Sequence, residues 1–114
     1  MDKWLGYYFR SSSILTDEYA KFSREMKKYL KTISINNIEL ISYNRMHFCF
    51  SAFFKNNKTG KLVYACCFDV RYFQDAWYTR LLIRTAKHDK DYTGGRNQFC
   101  TLPELSDAIQ ILTK

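Results

Sequence analysis

Residues 46–69, M-H-F-C-F-S-A-F-F-K-N-N-K-T-G-K-L-V-Y-A-C-C-F-D, decide the fold. Met46, Phe48, Phe50, Ala52 and Phe54 alternate with His47, Cys49, Ser51, Phe53 and Lys55, which is the period of a β-strand. Asn56-Asn57-Lys58-Thr59-Gly60 reads as a turn whose late glycine suits positive φ, so Lys61 to Asp69 returns as the antiparallel partner. On this reading Leu62, Tyr64, Cys66 and Phe68 join the large-aromatic face of Phe50 and Phe54.

Outward from the hairpin the same period recurs. Ile38 to Tyr43 forms a first strand. Val70 to Ala76 breaks the alternation and Trp77 to Ala86 resumes it as a fourth strand, with Trp77, Thr79, Leu81 and Ile83 on one side and Tyr78, Arg80, Leu82 and Arg84 on the other. Two arginines on one side point to a sheet face that is at least partly wet, as in antiparallel sheets covered by helices on one side only.

The two ends of the chain switch to a helical period. After Thr16-Asp17-Glu18, which supplies an N-cap threonine and two acids for the helix terminus, Tyr19, Phe22, Met26, Tyr29, Leu30 and Ile33 recur at three- and four-residue steps. Thr101-Leu102-Pro103-Glu104 combines a capping box with a first-turn proline, and Leu105, Ala108, Ile109 and Leu112 supply a buried face. Farther upstream, Trp4, Leu5, Tyr8 and Phe9 suit a short helix, joined to the main one by Ser11-Ser12-Ser13. The expected architecture is a single α+β domain over residues 1–114. It has a four-stranded antiparallel sheet, with an N-terminal amphipathic helix and a C-terminal helix packed on one face.

With 114 residues, 46% of them hydrophobic, the chain can bury one real core. It contains no run of about 18 apolar residues and no basic-then-apolar start, so a cytoplasmic protein without membrane contact is expected. Cys49, Cys66, Cys67 and Cys100 lack paired C-x-x-C spacing and read as free, mostly buried thiols. A zinc site built from Cys49, Cys66 or Cys100 with His47 or His88 is required by no spacing, and no metal or cofactor is expected.

The net charge of +7 weighs against mimicry of DNA, which needs a carboxylate-rich surface, and draws the protein toward nucleic acid or an acidic partner. Lys21, Arg24, Lys28 and Lys31 lie roughly opposite the apolar stripe of the first helix and, with Lys27 beside them, form a basic ridge. Arg80 and Arg84 on the fourth strand add to it, as do Lys87, Lys90, Tyr92 and Arg96 in the long polar loop Arg84–Phe99. These residues are the candidate contacts for nucleic acid or an acidic surface.

His88, Asp89, Lys90, Asp91 and Arg96 are the dense polar cluster. Consecutive residues rarely converge on one point, and a nuclease using His88 as base and Arg96 as charge stabiliser has no second histidine motif behind it, so no enzyme activity is expected. Gly94-Gly95 reads as a turn needing positive φ, with anion binding by its backbone as the alternative. The helix–sheet–helix order looks like that of double-stranded-RNA-binding domains. It departs from them by an extra strand and by a last helix whose first turn carries Glu104 and Asp107 in place of lysines. Exposed aromatics such as Phe53 or Tyr78 equally suit a dimer interface.

The segments D-K-W-L-G-Y-Y-F-R (2–10), F-F-K-N-N-K-T-G-K-L-V-Y (53–64) and R-T-A-K-H-D-K-D-Y-T-G-G-R-N-Q-F (84–99) resemble a family of small cytoplasmic proteins. The family is carried on plasmids, prophages and conjugative elements of Gram-positive bacteria. The resemblance implies an anti-defence role in the bacterial host cell, such as that of an anti-CRISPR inhibitor. Its partner would be a type II RNA-guided nuclease or its guide RNA, and its effect to block assembly or DNA cleavage by binding. The alternative is a stand-alone nucleic-acid-binding accessory protein of the element.

Overall fold

The computed structural model describes residues 16–33, 37–46, 48–73, 75–92 and 94–114. The expected helix at Trp4–Phe9 and its serine connection lie outside these residues. The chain runs α1 (Thr16–Thr32), β1 (Ile38–Arg45), β2 (Phe50–Asn56), β3 (Leu62–Cys67), α2 (Ala76–Thr79), β4 (Leu81–Ala86), β5 (Gln98–Cys100) and α3 (Leu105–Leu112). A 3-10 turn at Leu102–Glu104 leads into α3, where the Glu104 carboxylate accepts from Thr101 N at 2.9 Å and Thr101 Oγ1 at 2.8 Å. The strands form one antiparallel sheet in sequence order, each beside its predecessor.

The α+β class and the helices at both ends agree with expectation, but the sheet has five strands, not four. The fifth, Gln98–Cys100, lies at the edge of the segment that reads as a polar loop. Three residues are too few to display a period, and only the backbone register Leu81↔Cys100, Leu82↔Phe99 and Ile83↔Gln98 reveals the strand.

The fourth strand begins at Leu81 and not at Trp77. Trp77 and Tyr78 belong to α2, a single helical turn closed by Tyr78 N and Thr79 N donating to Asp75 O. The alternation of Leu81 to Ala86 continues backward into this turn by coincidence of composition. Helical geometry sends Trp77 into the core, where it meets Phe22 edge-on at 5.2 Å.

The hairpin also needs a correction of facing. Phe50 pairs with Cys67, Ala52 with Ala65 and Phe54 with Val63. The even-numbered residues of β2 therefore share a face with odd-numbered residues of β3, while Leu62, Tyr64 and Cys66 point the other way. The cause is the loop length. Asn56 N donates to Lys61 O at 2.9 Å, leaving four residues between the paired ends, and a change of one residue in such a loop flips every side chain of the returning strand.

One face of the sheet carries the helices. Tyr19, Phe22, Met26 and Leu30 of α1, Trp77 of α2, and Leu105 and Ile109 of α3 join Phe50, Ala52, Phe54, Val63, Ala65, Leu81 and Ile83 in a single cluster. The stripe read from α1 is thus its buried face. The other face holds a smaller cluster of Phe53, Tyr64 and Leu82, flanked by Cys66, Phe68 and Ala86.

A buried polar tie joins the hairpin turn to α3. Asn56 donates through Nδ2 to Thr113 Oγ1 at 3.1 Å and accepts at Oδ1 from Lys58 N at 2.9 Å and Thr59 N at 3.3 Å. Thr59 Oγ1 donates to Thr113 O at 2.7 Å. Every polar atom of the Asn56 side chain that leaves water finds a partner, as burial demands.

Candidate nucleic-acid interface

The alternation begun by Ile38 and Leu40 would carry Ser42 and Asn44 toward the helix layer. A β-bulge prevents it. Leu40 pairs with Phe54 but Ser42 pairs with Phe53, so Ile41 is the extra residue and the parity of the strand reverses. Beyond the bulge Tyr43 and Arg45 stand opposite Ala52 and Phe50, on the helix-bearing face.

On the facing flank of α1 the residues are small: Ala20 and, one turn on, Ser23. Their size leaves a groove of about 270 Å³ lined by Ala20, Ser23, Arg24, Lys27, Tyr43 and Arg45. A second hollow of about 200 Å³ continues along the seam, lined by Lys27, Lys31, Leu40, Ile41, Ser42 and Tyr43. Tyr43 crosses between the walls, its hydroxyl 2.7 Å from Ser23 Oγ, and its ring stacks on Phe50 at 5.5 Å. Burial pushes the Tyr43 hydroxyl well above its usual range, so it stays protonated.

Four cations line the two hollows, Arg24, Lys27, Lys31 and Arg45, and among the described residues no carboxylate lines them. Their exposed side chains converge from helix and strand on one trough, the arrangement that suits a chain of phosphates. Arg45, which composition alone does not single out, enters through the bulge. The other ridge residues, Lys21 and Lys28, are exposed on α1, and Lys28 lies 3.8 Å from Glu25.

The remaining candidate residues are elsewhere. Arg84 lies over the Tyr64 ring at 4.9 Å and Arg80 over the Phe99 ring at 4.3 Å, both on the sheet face opposite the helices. Burial pushes the Tyr64 hydroxyl up to about 12 although Arg84 is beside it. Tyr92 reaches back from the loop to meet Phe53 at 5.4 Å and Tyr64 at 5.8 Å, both edge-on. Phe53 is consequently fully buried, which corrects its expected exposure; Tyr78 is half-buried against Trp77 at 5.6 Å. Lys87, Lys90 and Arg96 are exposed along the loop. The eleven sequence candidates thus divide between two sides of the sheet and make no single surface.

The loop is built around Asp91. Its carboxylate accepts from Lys87 N at 3.0 Å and Gly94 N at 2.8 Å. A Cβ on Gly94 would lie 2.3 Å from that carboxylate, and one on Gly95, at φ +78, would lie 2.5 Å from Thr85 O. The two glycines therefore allow close approach within the loop, which accounts for them without a bound anion. His88 Nδ1 accepts from Lys90 N at 3.2 Å, a contact internal to the same turn.

All four cysteines are free thiols. Burial raises each of them, Cys100 to about 11, so they stay protonated at neutral pH. His47 is outside the described residues, and among the described residues no three of His, Cys, Asp and Glu gather into a metal site. No helix among them is long and apolar enough to cross a membrane. No family model, curated protein or solved structure matches this chain.

Proposed function

We propose that this protein is a binding module that grips the phosphate backbone of RNA along the α1–β1 groove. As the product of a mobile element, it acts against host defence by holding the guide RNA of a type II RNA-guided nuclease, so that assembly or DNA cleavage is blocked. The observation that carries the reading is the groove itself: Arg24, Lys27, Lys31 and Arg45 converge on one trough, and among the described residues no carboxylate lines it. RNA-guided nucleases hold guide and target in positively charged channels. A basic inhibitor is repelled by those channels and attracted to the RNA they share. The anti-defence setting rests on the resemblance of the three segments quoted above. The binding chemistry rests on the groove.

The test is capture of guide RNA, nuclease and their complex at several salt concentrations, with DNA cleavage assayed on the same mixtures. Arg24→Glu combined with Lys27→Glu should weaken RNA capture and flatten the dependence of log K on log salt by about 2. Affinity unchanged in that variant would remove the groove from the mechanism. Capture of bare RNA with cleavage intact would instead identify a stand-alone RNA-binding accessory protein, and salt-resistant capture of nuclease without RNA would identify a protein-docking inhibitor.

A further inference from the structure

The sheet face away from the helices carries an exposed aromatic patch that the groove does not use. Phe68 is its centre, with Phe73 at 5.6 Å and Phe99 at 6.4 Å. Phe73 is 55% and Phe99 44% exposed, large values for rings that touch a common neighbour. Arg80 stacks on Phe99 at 4.3 Å and forms no ion pair among the described residues. Asp69, the carboxylate just after Phe68, is engaged by Arg71 in a two-point fork at 3.1 and 2.7 Å. The patch therefore presents flat apolar surfaces beside a stacked guanidinium, a combination that matches a base and its phosphate.

We infer that Phe73, Phe99 and Arg80 form a stacking platform for unpaired bases of single-stranded RNA. This deepens the RNA reading of the groove and rests on it for the identity of the ligand. The groove holds backbone, which every duplex offers, whereas the platform requires bases released from pairing. The platform thus directs the protein to RNA with single-stranded segments. The two sites lie on opposite faces of a sheet about 19 Å wide across its four inter-strand gaps. One RNA can engage both only by sending a single strand around the edge.

Two labelled probes separate the sites: a single-stranded oligouridine and a blunt RNA duplex, each titrated by fluorescence anisotropy. Phe99→Ala or Phe73→Ala should weaken oligouridine binding about tenfold and leave duplex binding unchanged, while Phe99→Tyr, which keeps a ring, should restore oligouridine binding. Arg24→Glu with Lys27→Glu should show the reverse preference. Oligouridine binding that ignores Phe99 and Phe73 would overturn the platform. So would sedimentation showing a dimer that Phe99→Ala dissociates, since a second copy would then be the occupant. If the wild type binds oligouridine through Phe99 but no duplex, the platform stands and the groove reading falls.

Discussion

The two faces of the sheet are made of the same kinds of residue and finished differently. On one, Phe50, Ala52 and Phe54 lie under three helices and belong to one continuous core. On the other, Phe53, Tyr64 and Leu82 make a small cluster whose lid includes Tyr92, a loop residue itself 42% exposed. The difference teaches where binding surface can be kept. A face sealed by helices gives stability and presents only its outer rim, which here is the α1–β1 groove. A face capped by a loop leaves rings and arginines uncovered.

The largest effect should come from the sealed face. Phe50→Ala removes a ring that is 2% exposed and stacked on Tyr43, and should cost about 3–5 kcal/mol in urea unfolding. A loss near that of an exposed site would mean the helices are not the principal seal. On the loop side, Gly95→Ala forces a side chain into left-handed backbone and against Thr85 O, and should cost about 1–3 kcal/mol. An unchanged Tm would show that the loop relaxes freely and does not hold Tyr92 in place.

Tyr92→Ala should be milder still, about 1 kcal/mol, because it removes two edge-on ring contacts from a partly exposed side chain. A loss equal to that of Phe50→Ala would erase the contrast between the faces. The smallest effect is pH-dependent. Hydrogen bonds from Thr101 N and Oγ1 hold the Glu104 carboxyl below its usual range, so its contribution is present at neutral pH and disappears as acid titrates the folded carboxylate. The Tm advantage of wild type over Glu104→Gln should shrink on acidification; a difference constant with pH would sink this assignment.

The parts of the fold that were legible in the sequence are those with long periods. Tyr19, Phe22, Met26 and Leu30 repeat over about three turns, and β2 and β3 flank a turn with a late glycine, Gly60, at φ +78. What escaped depends on single residues. One residue of loop length decides that Val63 and not Tyr64 faces the core, and one extra residue, Ile41, turns Tyr43 and Arg45 toward α1. Neither leaves a mark in composition or period. The basic ridge was legible as one face of a helix, but its division into groove-lining Arg24, Lys27 and Lys31 and the more distant Lys21 and Lys28 requires the opposing strand. Arg84 was legible as an outward residue of the fourth strand, whereas Arg80 lies just before that strand at the end of α2; that each rests on an aromatic ring was not legible, because Phe99 and Tyr64 come from other segments.

The tie between Asn56 and Thr113 couples the hairpin turn to the docking of the last helix. Every strand pairs with its sequence neighbour, so the meander can assemble hairpin by hairpin from local contacts. The Asn56 amide is different, because one of its partners lies 57 residues away. The turn it organises reaches its final bonding only once α3 has docked. The Lys58 and Thr59 amides, both donating to Asn56 Oδ1, are therefore internal reporters: their exchange with solvent should slow in step with the arrival of the last helix and not with the pairing of the strands they connect.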